Sequence, residues 1–556
     1  MTKKYVLGIH VGHDRAVALI QNGIVVGNIA QERLDRIKHS RSIELPYDSI
    51  NAILKYNHIT IKDISCVGLS GDAMEKECMF ETLKLDLYQY FHYKLPVYFV
   101  PHHDSHAYAA FYASSFSNSL IFIADGGGDY YNDFTEAESL YIGTETSISP
   151  IKKRFQAPTI RRMINENNYL FPYMPTTIRT QEISIARKYE QFTYLLGFGW
   201  GEAGKTMGLA SYGKSLIDFS DLKYNDLGFS LKYSDLIEDI FVLQQLSGIN
   251  YHEYIREYAA DIAQTVQEYT ERSIITLIQS LTNRYSVDHI CLGGGLFLNC
   301  LLNQKILKEC DLKEIFVFPA SGDDGQAVGN AFYAYKNFFP EKKNPRITLP
   351  YLGFAYSNDE IRLELEKWSI NYQFLDNELL AETMAQALAN NEIIAFHWGR
   401  TEIGPRALCH RSILANPTNP NMKDIINKRI KHREVFRPFA PVVTTEMEYE
   451  IFDLKQSSPY MLLAPKVKET YRDKLPSITH VDTTARVQSI SEETDPFIHL
   501  LLNKFAAITG VPVLLNTSFN VAGQPIVESP ADAIQTFMNN DMDALVIGNY
   551  WIKKIS

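Results

Sequence analysis

A chain of 556 residues exceeds one ordinary domain, and 46% hydrophobic with 21% charged residues is the balance of a folded protein with ample core, which excludes disordered and collagen-like classes. A formal net charge of -11, from 54 Lys and Arg against 65 Asp and Glu, leaves little cationic surface for phosphate contacts, so no nucleic acid is expected as a partner. Six cysteines without C-x-x-C spacing argue against zinc ribbons and disulfide frameworks, and the absence of a signal-peptide-like start or a long apolar run predicts a cytoplasmic chain with no membrane span.

Residues 5–11 predict an apolar strand, Gly12-His13-Asp14 a turn, and 16–20 with 24–26 a hairpin about Asn22-Gly23, a pair suited to positive φ at both central positions. The plan recurs. Residues 119–124 form an apolar strand, Asp125-Gly126-Gly127-Gly128-Asp129 an acidic glycine turn, and 138–143 a returning strand. Two copies predict a duplicated fold of the kind shared by actin, sugar kinases and heat-shock chaperone ATPases.

Before the second copy, 97–100 predicts a short strand and Pro101 opens a helix, since proline is tolerated in a first helical turn. His102 and His106 are four apart and project from one face of that helix, whereas His103 points elsewhere. Asp125 ends the next strand, and a second acidic glycine turn at 321–325 follows the strand 315–318. Two imidazoles and two carboxylates suit a divalent first-row metal with positions open for substrate; spacing leaves open whether Asp323 or Asp324 turns inward. The glycine clusters at 197–213 and 291–304 predict backbone N–H groups close to a phosphate or nucleoside, though neither has Walker A or Rossmann spacing. Residues 252–286 read as one or two amphipathic core helices, and 342–350, polar with two prolines, as a linker.

Beyond the strand 392–397 lies a basic stretch, 399–441, with nine Lys and Arg against three acids. Apolar residues interleave its cations, so it should be folded, and folded cations held close together repel unless an anion sits between them. Arg406 after Gly404-Pro405 and Arg437 before Pro438 stand beside rigid turn residues. Any one cation is explained as well by a local pair, such as Glu434 with Lys431 or Arg433; the set reads as a polyphosphate or carboxylate pocket. Arg486 follows a polar run and Asn516-Thr517-Ser518 an apolar strand, so both are placed to finish it.

Taken in order, the GHD turn at Gly12, ERLDRIKH at Glu32, H-x-x-x-H, DGGG, GEAGKTMGLASYG, GGGLFLN, GPRALCHRSI, KHREVFRPFAP, HVDTTARVQ and NTSFN resemble the NodU/CmcH-type O-carbamoyltransferases. The resemblance implies an α/β protein: an N-terminal duplicated actin-like (ASKHA) metal-bearing domain, 1–345, and a C-terminal YrdC-like α/β domain, 346–556. It implies that the second domain makes carbamoyl-adenylate from carbamoyl phosphate and ATP. The first would then pass the carbamoyl group to a hydroxyl of a small molecule, in natural-product biosynthesis, releasing AMP. Carried over residue by residue, His102, His106, Asp125 and Asp323 hold the metal, iron(II), with Mg2+ a candidate companion of ATP. His13 is the base for the acceptor, and Asn299 and Gly208 border the adenylate. Arg406, Lys431, Arg437, Arg486, Asn516 and Ser518 bind the phosphates, with Lys431 and Arg437 at the chemistry. The expected partners are an alcohol acceptor and, as a candidate, a second copy of the chain. Two competing readings are a tRNA threonylcarbamoyl transferase, disfavoured by the acidic balance and the fused C-terminal domain, and a non-catalytic nucleotide-binding regulator, which would show eroded catalytic positions.

Overall fold

The structure, a computed structural model, describes residues 4–71, 76–131, 134–156, 183–222 and 236–554. They form two compact units: Met1–Val25, Arg41–Pro46 and Ile59–Ile347 in one, Val26–Ser40, Tyr47–His58 and Thr348–Ser556 in the other. The break after Ile347 falls within the stretch 342–350. The segments 26–40 and 47–58, which a simple 1–345 division keeps with the N-terminal part, group with the second unit.

In the first unit β1 (Tyr5–Val11) is buried along its whole length and β2 (Ala16–Gln21) returns antiparallel beside it. β3 (Ile24–Ala30) follows through Asn22 and Gly23, whose φ of 53° and 85° are the left-handed pair that a two-residue hairpin turn needs. β4 (Ile64–Gly71) and β5 (Val97–Phe99) add in parallel, giving the order β2, β1, β4, β5. A second sheet repeats this plan. β6 (Ser119–Ala124) takes the place of β1; the short β7 (Tyr130–Tyr131) precedes β8 (Phe134–Gly143), which pairs antiparallel with β6 and is followed by β9 (Ile148–Gln156). β10 (His289–Gly293) and β11 (Glu314–Val317) extend the other side in parallel. The same connectivity twice over defines a duplicated, actin-like α/β fold.

Two helices bear on the site. α1 (His102–Ala113) starts after Pro101, which stands at the cap position rather than inside the first turn. α2 (Gln326–Phe338) lies directly on the first sheet because Gly8 and Gly68 face one another across β1 and β4. A Cβ on Gly8 would stand 1.9 Å from the carbonyl oxygen of Ala327, and one on Gly68 2.1 Å from that of Asn330, so any side chain there lifts the helix off the sheet. Ser105 of α1 donates its hydroxyl to the Gln326 carbonyl at 2.9 Å, which sets the two helix starts side by side.

The second unit is built on eight strands, edge to edge Gln373–Phe374, Tyr550–Lys553, Ala544–Ile547, Ile394–His397, Arg411–Ala415, Val513–Ser518, Ala440–Thr444 and Gln488–Ile490. Its strands alternate between two cores. Ile413, Ala415, Val513 and Leu515 face a cluster with Met422, Ile426 and Phe439; Leu414, Leu514 and Phe396 face another, covered by the helices Asn377–Ala389 and Pro496–Thr509. Burial on both faces explains why these strands read as nearly continuous apolar runs. No described helix is long and apolar enough to cross a membrane, and Cys66, Cys291, Cys300, Cys310 and Cys409 are buried.

Candidate functional site

Each unit carries one cluster of charge. In the first, donor atoms of His102, His106, Asp125 and Asp323 all lie within 4.8 Å of one another. Asp323 Oδ1 stands 3.3 Å from His102 Nε2 and 3.2 Å from His106 Nε2, while Asp125 Oδ2 is 3.2 Å from His106 Nε2. It is Asp323, not Asp324, whose carboxylate reaches the histidines. Local chemistry positions each ligand. Asp125 is held by the backbone N–H groups of Gly126 (2.5 Å) and Gly295 (3.1 Å), one from each glycine turn. At the other end of the same turn, Asp129 accepts the His102 backbone N–H at 3.0 Å and so caps α1. His103 turns away to Ser139, 2.7 Å from Nδ1.

Burial alone disfavours a charged imidazole, but Asp323 outweighs it and holds the His102 pKa up at about 10; His106 is raised as well, with Asp125 and Asp323 opposing burial. Burial pulls the opposite way on Asp323, yet His102 and His13 keep its carboxyl well below the usual range. Protons on the imidazoles thus do the neutralising that a cation can do. Ligand atoms at about 2.0–2.2 Å from one ion lie within roughly 4.4 Å of each other, so the observed spacings of 3.2–3.3 Å fit a single divalent ion with mixed N/O ligands.

Several side chains beside this cluster are not assigned to it in the sequence reading. Gln326, fully buried, donates its amide to Asp323 Oδ1 at 2.9 Å and accepts from Ser70 Oγ at 2.8 Å; Ser70 in turn is bonded to His10 Nδ1 (2.9 Å) and to Asn330 Nδ2 (2.7 Å). Asp14 lies 3.0 Å from His13 Nδ1, and His13 Nε2 lies 3.0 Å from Asp323 Oδ2. His13 is 28% exposed, with the Trp200 ring edge-on at 4.9 Å. Only Gln326 had a signal, standing directly after the Asp-Asp-Gly turn. Asn299 caps the helix Cys300–Glu309, accepting from Leu302 N at 3.0 Å and donating to Gln267 at 2.9 Å. Gly208 is buried in the helix Ala203–Ala210, which meets that cap where Met207 Sδ stands 3.9 Å from Cys300 Sγ.

In the second unit the basic stretch divides by role. Arg411 is fully buried and donates to the carbonyls of Phe354, Trp398, Gly399, His410 and Glu528; Arg400 donates to those of Val26, Leu352 and Gly353; Arg429 pairs with Asp541 and Asp543. These three have structural acceptors. The Glu434 carboxylate approaches Arg437, at 3.8 Å, and also counters the charge of Arg433.

Lys431 ends the π-helical turn Asn427–Lys431 and donates to Ser518 O at 2.5 Å and to Asn520 O and Oδ1 at 2.9 Å each. Burial, then the neighbouring Arg433 and Arg437, push its ammonium well below the ordinary lysine range. Arg433 is itself lowered to about 9 by burial, Arg437 and Arg486. So the strand end Asn516–Ser518, the loop at 431–437 and the loop before Gln488 converge. Asn516 is buried and ties this point to the Arg406 loop, donating to Ala407 O at 3.2 Å and to Gln488 Oε1 at 2.8 Å. In the sequence Arg433 reads as a local partner of Glu434 and Asn520 as part of the NTSFN run, and neither is assigned there to the anion pocket.

Comparison with known proteins gives this arrangement a family. Residues 74–332 match the model described as carbamoyltransferase N-terminus and residues 385–554 the carbamoyltransferase C-terminus. The chain is 30% identical to an uncharacterized protein of Synechocystis sp., over 99% of this chain and 97% of that protein, and 33% identical to nodulation protein NolNO of Sinorhizobium fredii, over 98% and 79%. It is 34% identical to the 3'-hydroxymethylcephem-O-carbamoyltransferase of Amycolatopsis lactamdurans, over 47% and 48%. The chain belongs to the carbamoyltransferase family and is an enzyme of that class.

Proposed function

We propose that the protein is an ATP-dependent O-carbamoyltransferase that makes carbamoyl-adenylate in its C-terminal, YrdC-like unit and transfers the carbamoyl group to a small-molecule hydroxyl in its N-terminal unit. The observation that carries this reading is the convergence of Lys431, Arg433, Arg437 and Arg486, where burial and then the neighbouring guanidinium groups lower the basicity of the first two. Such a set is stabilised by a multiply charged anion. Carbamoyl phosphate, ATP and water give carbamoyl-adenylate, phosphate and pyrophosphate, and every species there except water carries phosphoryl charge. Arg406, Lys431, Arg437, Arg486, Asn516 and Ser518 are the residues we assign to it. Adenylyl transfer asks the protein for charge neutralisation and alignment more than for covalent help.

In the N-terminal unit His102, His106, Asp125 and Asp323 would hold a divalent ion, iron(II) in our reading, which when bound supplies Lewis-acid polarisation of the carbamoyl oxygen. His13 is the residue we assign to take the acceptor proton; Asp14 Oδ2 lies 3.0 Å from its Nδ1 and Asp323 Oδ2 3.0 Å from its Nε2, so the two carboxylates orient the ring. Asn299 and Gly208 border the adenylate. Trp200, partly exposed beside His13, offers a face on which an acceptor can rest. The name of the cephem relative supports a hydroxymethyl group on a small natural product as the acceptor class.

Pyrophosphate release from ATP, followed without any acceptor and with or without carbamoyl phosphate, tests the reading. Release that requires carbamoyl phosphate is expected; none under any metal condition would overturn it.

A further inference from the structure

We propose that Arg433, aimed by Asn427, is an additional cation gripping a phosphoryl oxygen of the substrate; this rests on reading the basic cluster as a phosphate pocket. Neither residue belongs to the binding set assigned above. The contrast inside the basic stretch carries the idea. Arg400, Arg411 and Arg429 satisfy the protein itself, with carbonyls or carboxylates. Arg433 does so along one edge only: Nε donates to Asn427 Oδ1 at 2.9 Å and Nη2 reaches Pro438 O at 3.5 Å, while the guanidinium lies 4.5 Å over the Phe439 ring. The neighbouring acid Glu434, which partly counters the Arg433 charge, approaches Arg437 at 3.8 Å, and among the described residues Nη1 of Arg433 makes no hydrogen bond to the protein. A guanidinium fixed on one edge and one face, with its remaining donors open, is pre-organised for an anion.

Asn427 supports this from beneath. It is 4% exposed, its oxygen is spent on Arg433, and its Nδ2 has no acceptor in the protein. Because Oδ1 and Nδ2 share one rigid amide, that buried donor sits beside the arginine, where an anion with several oxygens can satisfy both. Asn427 opens the π-helical turn, which ends at Lys431 and is capped by His432, a non-glycine residue at φ 44°. Such wide turns recur at functional sites because they redirect side chains that a regular helix would stack. Arg437 and Arg486 both stand near enough to oppose the charge of Arg433, with Glu434 partly countering them, and a multiply charged ligand would offset the rest.

The test uses the full-length protein and three probes taken separately: ATP, carbamoyl phosphate and inorganic pyrophosphate, each titrated by calorimetry, together with melting temperature and KM for pyrophosphate release. Arg433→Lys keeps the charge and loses the fork. It is expected to weaken one phosphoryl substrate roughly ten- to a hundredfold with little change in melting temperature, and the affected probe tells whether ATP or carbamoyl phosphate is held. Asn427→Asp keeps an acceptor for Nε but neutralises the arginine, so the same probe should weaken while the fold is retained. Asn427→Ala should raise KM more than it lowers kcat. Native affinity for all three probes in a well-folded Arg433→Lys, or losses that merely track melting temperature, overturns the inference. Should Arg433→Lys fail to fold, Asn427→Asp decides. If wild type releases no pyrophosphate, the parent reading fails separately, and pyrophosphate binding still judges Arg433.

Discussion

The two charge clusters solve opposite problems. In the N-terminal unit carboxylates and imidazoles stand 3.0 to 3.3 Å apart and neutralise one another through protons, so opposite charges are paired before any ligand arrives. In the C-terminal unit four cations converge with little acid among them, so burial and mutual repulsion depress Lys431 and Arg433. On the proposed reading one cluster would exchange protons for a cation and the other would be relieved by an anion. The comparison teaches that the first should be robust without ligand and sensitive to pH, and the second sensitive to salt and to phosphate.

The largest effect should come from breaking the cation side alone. In His106→Ala, metal content and carbamoyl transfer are expected to fall to background while pyrophosphate release persists, and measuring both in one preparation shows whether the two halves are separable. On the anion side, Arg437→Ala should lower carbamoyl-adenylate formation about ten- to a hundredfold, the worth of a charge-assisted hydrogen bond, read as pyrophosphate release at fixed carbamoyl phosphate. A pure anion site also predicts that added salt and inorganic phosphate inhibit this half and spare transfer from preformed carbamoyl-adenylate.

A subtler change sharpens the contrast. Gln326→Leu removes the amide that orients Asp323 and should weaken metal binding by about tenfold or more, seen by titrating the metal-free protein with a divalent ion. Proton linkage gives a comparable signature. Asp323 holds the His102 pKa at about 10 against an ordinary 6.5, so in the metal-free protein its contribution to stability is complete below pH 6.5 and is lost as pH rises toward 10. Melting curves of the metal-free protein should therefore fall across that window, while the metal-loaded protein stays flat and loading releases protons. The smallest effect concerns packing. Arg36 donates to the carbonyls of Ile526 (2.7 Å) and Pro525 (3.1 Å) within the second unit, so Arg36→Ala should cost about 1–3 kcal/mol of that unit's stability, with the metal site unchanged.

Some of this was legible in the chain by itself. The Asn22-Gly23 hairpin, the strand and acidic-glycine-turn repeat, the histidines four apart on one helix and the folded character of the basic stretch all depend on local φ preference and on periodicity, which neighbours in sequence decide. The choice of partners does not. Asp323 finds His106 across 217 positions only because Gly8 and Gly68 let α2 settle on the sheet and Ser105 ties it to α1. Likewise Arg411 and Arg437 look alike in sequence, yet one is sealed among carbonyls and the other is left beside Lys431 and Arg433. Residues 26–40 and 47–58 join the second unit through contacts with residues hundreds of positions away. Conformational preference is a property of a few adjacent residues and can be read from them; burial and charge pairing are properties of the packed chain, and the tertiary structure decided them.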